Sequence, residues 1–160
     1  MSNNNYFEIK DKSNIPKMCN FLFKHIKEFS LEVFSFHFCK KNNHALVRYE
    51  NGGNNSSKYF LANIIGGELI PKENINKNDH ERLSEDFDFH ISYAEHLITF
   101  PRVKGEFILR IYANDLDGLC TLSSENFNHN INQSFLDFFQ PCDPKKYTPL
   151  NLIKITKGTQ

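Results

Sequence analysis

The chain has 160 residues, enough for one domain that buries roughly 70 % of the surface its unfolded form exposes. Nineteen Lys and Arg balance nineteen Asp and Glu, so the basic footprint of a nucleic-acid binder is missing, and near-zero net charge leaves self-association open. No run of about 18 apolar residues exists to form a membrane helix, and the polar start Met-Ser-Asn-Asn-Asn lacks the core of a signal peptide.

Residues 6–10 alternate like a short edge strand. Residues 11–14 form a turn ending in an N-cap at Asn14, and Pro16 falls in the first helical turn, where its missing N–H costs nothing. Apolar residues at 15, 18, 19, 22, 26 and 29 make one helical stripe. This predicts a helix over 15–29 that buries Met18, Cys19, Leu22, Ile26 and Phe29 against a sheet.

Residues 31–39, 44–50 and 58–65 read as three strands with hairpin-like joints at 40–43 and 51–57. The reading is an antiparallel meander over 31–65. Along its first strand Phe34, Phe36 and Phe38 point one way, and Val33, Ser35, His37 and Cys39 the other. Residues 71–85 are polar and weakly periodic, which predicts a long mobile loop or a short helix around 79–85. A strand follows at 87–93, then a hairpin over 96–112 around the loop 101–105. A turn at 114–118, a weak strand at 119–122, a short helix that carries 134–140 and begins nearer Asn130, and a last strand at 150–155 complete the chain. The expected fold is a single α+β domain over 1–160, a mainly antiparallel twisted sheet with helix 15–29 on one face.

The sharpest chemical feature is His90-Ile91-Ser92, with Asp88 on the same strand face and His96 close behind. A His-x-Ser pair on a strand resembles half of the motif of the two-histidine phosphoesterases, in which a second pair completes the site. That resemblance implies a hydrolase centred on His90 and Ser92. The chain departs from the pattern at the second pair: His37-Phe38-Cys39 puts Cys where Ser or Thr belongs.

Zinc could draw on Cys39, His44 and His37 around the first hairpin, with His90 or Cys120 as a fourth ligand. The four cysteines Cys19, Cys39, Cys120 and Cys142 contain no Cys-x-x-Cys pair, so no metal or other cofactor is expected and free buried thiols are. Aligning Gly118 to the invariant glycine of a calcium loop puts Ala113 and Ser124 at the acidic end positions, so 114–118 is only a turn. Gly52-Gly53 and Gly66-Gly67 lack the Gly-Lys-Ser/Thr ending of a phosphate loop.

With no complete catalytic set in view, the expectation is a small cytoplasmic protein-binding module, an inhibitor or immunity-type protein that blocks a toxin or enzyme. Its partner would be a protein, with no nucleic acid and no membrane. Arginine and aromatic anchors dominate such surfaces. Arg102 and Lys104 sit in the predicted hairpin loop, and Arg82 in the polar segment, so the binding surface is expected there. The alternatives are the small phosphoester hydrolase on His90 and Ser92, and a structural subunit that self-assembles.

Overall fold

A computed structural model describes residues 6–39, 44–52, 56–65, 68–85, 87, 89–101, 103, 105–114, 116–124, 133–148 and 151–152. Its strands, in chain order, are β1 (Tyr6–Ile9), β2 (Glu28–Phe29), β3 (Glu32–Cys39), β4 (His44–Asn51), β5 (Ser56–Ile65), β6 (Glu68–Ile75), β7 (Phe89–Thr99), β8 (Phe107–Asn114), β9 (Cys120–Ser123) and β10 (Phe139–Pro141). The helices are α1 (Ile15–His25), α2 (Lys77–Ser84) and α3 (Gln133–Leu136). All strands join one antiparallel open sheet in the order β10-β1-β9-β8-β7-β3-β4-β5-β6, with β2 on the side against β7. The α+β fold is therefore the one expected, and the meander 31–65 is present as β3-β4-β5.

Strand alternation sorts the side chains onto two faces. The front face buries Phe36, Ala45, Val47, Ala62, Ile91, Tyr93 and Tyr112, covered by Leu116, Tyr147 and Leu152. The back face buries Ile98, Phe107, Leu109 and Leu122 beneath Met18 and Leu22 of α1 and Phe135 of α3. Leu46 is also fully buried although its β4 neighbours Ala45 and Val47 face forward. Such burial on both sides of β4 requires a second cover on the back, and α2 supplies it.

Several elements differ from expectation, most of them because a long-range pairing overrides a local pattern. Helix α1 stops at His25, and Ile26 turns extended with ψ 150. Lys27 N–H then reaches the Thr99 carbonyl and Glu28 pairs with Thr99, so the chain exchanges a last helical turn for a place beside β7. Met18 and Leu22 are buried as expected and Cys19 and Ile26 half-buried, while the Phe29 side chain lies outside the described residues. Residues 71–75 are not a loop but the outer half of β6. Pro71 is tolerated there because β6 is an edge strand and its pairing with β5 shifts register at Leu61/Ala62. The expected helix near 79–85 begins two residues earlier, where Asn76 accepts a hydrogen bond from Asp79 N–H as N-cap.

The segments 87–93 and 96–100 are one strand, β7, since Glu95 in its middle finds Arg110 across the ladder. β1 is not an edge strand: Phe139 pairs with Ile9 and places β10 outside it. Asn14 caps α1 without a side-chain hydrogen bond; Asp11 instead caps the preceding 3-10 turn through Ser13 N–H. Residues 151–152 are helical rather than the start of a strand, and 153–155 lie outside the described residues. Among the described residues no helix is long and apolar enough to cross a membrane.

The Leu22 side chain seals α1 to the back face at 6 % exposure, whereas Phe23 beside it is 70 % exposed. Leu22→Ala is expected to cost about 2–5 kcal/mol in a denaturant melt. Phe23→Ala should stay within about 0.5 kcal/mol of the parent. Equal costs for the two would show that α1 is not anchored through this stripe.

Candidate functional site

The front face carries a polar row that runs across the sheet at one level. Backbone pairing sets Gln140 of β10 beside Glu8 of β1, Glu8 beside Thr121 of β9, and Thr121 beside Arg110 of β8. Arg110 stands beside Glu95 of β7, Glu95 beside Glu32 of β3, and Glu32 beside Asn51 of β4. One step along the strands lies an aromatic row, Tyr112–Tyr93–Phe34–Tyr49. The polar groups thus rest against apolar surface, where charge is weakly screened.

Arg110 is the centre of this row. Its Nε donates to Glu95 Oε1 at 2.8 Å, and its Cζ lies 4.9 Å from the centroid of the Tyr93 ring. The Arg110 side chain is 33 % exposed and that of Glu95 19 %. One side of the guanidinium is therefore held while some of it still faces outward. Burial works against the Arg110 charge, but the pKa lies above its ordinary value; Tyr93 and Tyr112 attract the charge only once ionised, so near pH 7 the Glu95 carboxylate is what holds it. Burial pushes the Tyr112 phenol up to about 12 and raises Tyr93 as well, so both are neutral donors near pH 7. Glu32 and Glu95 stand directly opposite each other, an arrangement a sheet disfavours unless a cation sits between or beside the carboxylates.

The far end of the row is closed by the C-terminal segment. Lys146 Nζ lies 3.0 Å from both carboxylate oxygens of Glu8, and the Tyr147 hydroxyl donates to Glu8 Oε2. Burial alone would raise the Glu8 pKa, but hydrogen bonds from Tyr147 and Lys146 outweigh it and hold the carboxyl below its ordinary value. Glu32 and Glu95 are oxygen donors of the kind a hard divalent cation takes. Among the described residues no three His, Cys, Asp or Glu groups converge as a metal site.

The residues singled out from sequence lie elsewhere. His90 and Ser92 are on the back face of β7, as the His-x-Ser spacing requires. The residue brought to His90 is His37 of β3, whose ring stacks on it at 4.3 Å with 6° between planes. His90 Nε2 meets Ser35 Oγ at 2.6 Å, while Ser92 Oγ accepts instead from Asn114 Nδ2 at 2.8 Å. Asp88 lies outside the described residues, and His96 contacts the Ser30 carbonyl through Nδ1 at 3.2 Å. Arg82 is exposed on α2 and pairs with Asp79 at 3.3 Å. Arg102 and Lys104 lie outside the described residues. Cys19, Cys120 and Cys142 are free thiols; burial raises all three, Cys142 to about 11, so none is a ready nucleophile.

Sequence reading missed Glu8, Glu32, Glu95 and Arg110. The available signal was a single charged residue inside each of the apolar strands β1, β7 and β8, with Glu32 at the start of β3. The depressed Glu8 carboxyl adds stability above its unfolded pKa that is lost as pH falls through the folded value. Carboxyl NMR titration should find Glu8 below the ordinary glutamate range, and Tyr147→Phe should raise it. An unmoved Glu8 midpoint in Tyr147→Phe would show that the hydroxyl contributes nothing.

No family model matches the chain, and no curated protein matches it either. Solved structures do match its fold. One is the inorganic triphosphatase NE1496, at 14 % identity and TM-score 0.53, with 95 % of each chain covered. A second structure under the same name, described as a hypothetical protein, matches at 13 % identity and TM-score 0.53 over 92 % of this chain and 95 % of that one. The third is HpAC1 from Hippeastrum, described as an adenylyl cyclase candidate with a dominant triphosphatase activity, at 8 % identity and TM-score 0.52. Its alignment covers 97 % of this chain and 94 % of HpAC1. The expectation of an inhibitor or immunity-type binding module is corrected by these likenesses: the fold is shared with triphosphatases, not with proteins of that kind. The earlier reading rested on the lack of a short catalytic motif, and a site distributed over many strands leaves no such motif.

Proposed function

We propose that the protein is a phosphoester hydrolase that acts on a triphosphate group, with the substrate lying along the polar row of the front face. The observation that carries this reading is the partly exposed Arg110 guanidinium, held by Glu95 and Tyr93 in the middle of that row. A planar fork fixed on one side presents its remaining N–H groups to phosphoryl oxygens, for which arginine is suited. Phosphoryl transfer demands mainly positioning and neutralisation of spread negative charge, and a fixed cation supplies both without reorganisation. Tyr93 and Tyr112 border the row as neutral phenols. The full-length fold likeness to NE1496 and HpAC1, whose descriptions name triphosphatase activity, supports the substrate class.

A second reading keeps hydrolysis but puts it on the back face at His90, because His37 and Ser35 gather around that ring. Ser92 would then orient the strand end through Asn114 rather than act on substrate. The first reading is preferred because a triphosphate carries several negative charges and the paired imidazoles supply no fixed cation: burial, with the neighbouring His90 and His80, holds His37 down to about 4.

Phosphate release from inorganic triphosphate and from ATP, each with magnesium, distinguishes the readings. The wild-type chain is expected to hydrolyse at least one of them. Arg110→Ala should lower kcat/KM by about 100-fold or more. Arg110→Lys should recover only part of it, and His90→Ala should stay within a few-fold of the parent. Loss with His90→Ala and not with Arg110→Ala would move the site to the back face. No phosphate release above a buffer control from either substrate would overturn the proposal altogether.

A further inference from the structure

Behind the sheet, α2 rests on aromatic rings from two strands. His80 of α2 is 6 % exposed, and its Nε2 has no hydrogen-bond partner among the described residues. Its ring meets His37 of β3 edge to face at 5.6 Å and Tyr59 of β5 at 5.0 Å. His37 in turn stacks flat on His90 of β7, which contacts Ser35. Two imidazoles in flat contact cannot both carry charge without repulsion. A buried ring nitrogen with no partner likewise favours the neutral form.

We propose that this cluster is an acid-sensitive latch: neutral His37, His80 and His90 hold α2 on the back of the sheet, and proton uptake releases α2 while the rest of the sheet stays folded.

The surrounding charges do not rescue the protonated form. From β4, Arg48 faces His80 and is itself paired with Glu50. From α2, Glu81 favours a protonated His80, but burial first and then Arg48 outweigh it, so the group titrates below its ordinary value. Arg82 and Asp79 of α2 are paired with each other. Glu73 of β6 stands opposite Leu61 of β5, and His44 lies further along the back of β4. A released imidazole titrates near its ordinary value and takes up protons at a pH where the docked one does not. Docking therefore weakens as pH falls below about 6.5 toward the lowered folded value of His80, and is insensitive above neutrality. Release is opposed by the cover that α2 gives Leu46 and by its own half-buried Leu83, while His80 is the fully buried residue of α2.

Hydrogen exchange of the full chain at pH 7.5 and pH 5.0, corrected for intrinsic exchange, tests the latch. Amides of residues 77–84 should lose protection by about tenfold or more relative to those of β8 and β9. His80→Leu should remove most of that pH dependence. Unchanged protection at 77–84, equal loss in β8, or an undiminished pH effect in His80→Leu would each overturn the proposal. Ring NMR titration of the wild-type chain gives a reading even if His80→Leu detaches α2 at both pH values. A His80 midpoint below that of a free imidazole supports the latch, and a midpoint at about 6.5 overturns it.

Discussion

The pairing of β3 with β7 is the constraint on which the rest of the molecule depends. It aligns residues from Glu32↔Glu95 to Phe38↔Phe89 and joins two antiparallel blocks whose inner strands, β3–β6 and β7–β9, pair with neighbours in sequence. β3 through β6 form one block; β7, β8 and β9, extended by β1 and β10, form the other. Because side chains alternate with period two, a slip of one residue at this seam would turn one block over relative to the other. Phe34 would leave Tyr93, the polar row would break between Glu95 and Glu32, and His37 would leave His90. The apolar residues at the seam, Phe36 and Ile91 among them, are buried and make that slip costly.

The same seam divides the chemistry. On the front face charge is balanced by proximity: Arg110 with Glu95 at the centre, Lys146 with Glu8 at one end. These groups are partly desolvated but paired, so the sheet holds them without leaving an isolated charge, the arrangement that is most costly to bury. On the back face burial disfavours charge on His37 and His80. Ser35, His37, Tyr59, His80 and His90 contact one another through ring faces and one hydrogen bond.

The fold likeness that corrects the binding-module expectation was not legible in the sequence. Sequence reading looked for catalytic residues close together, as in the His-x-Ser pair. The row instead takes one residue from each successive strand: Glu8, Thr121, Arg110, Glu95 and Glu32. Lys146 and Glu8 are 138 positions apart, and Ser35 and His90 are 55 apart. A site of this kind has no local spacing to recognise.

What the sequence determined by itself was local and periodic. The 3.6-residue stripe of 15–22 required α1, and the alternation through 31–65 required the meander with Phe36 inward. Turn residues placed the reversal at Gly118, whose φ of 97 suits glycine and whose missing side chain leaves room for Lys12. Tertiary structure decided whatever depended on a distant partner. It ended α1 at His25, because residues 27–29 could pair with β7. It kept β7 continuous through Glu95, because Arg110 stood opposite. It turned scattered charges into a row, because cross-strand register, which a single strand's pattern does not contain, sets which residues share a level.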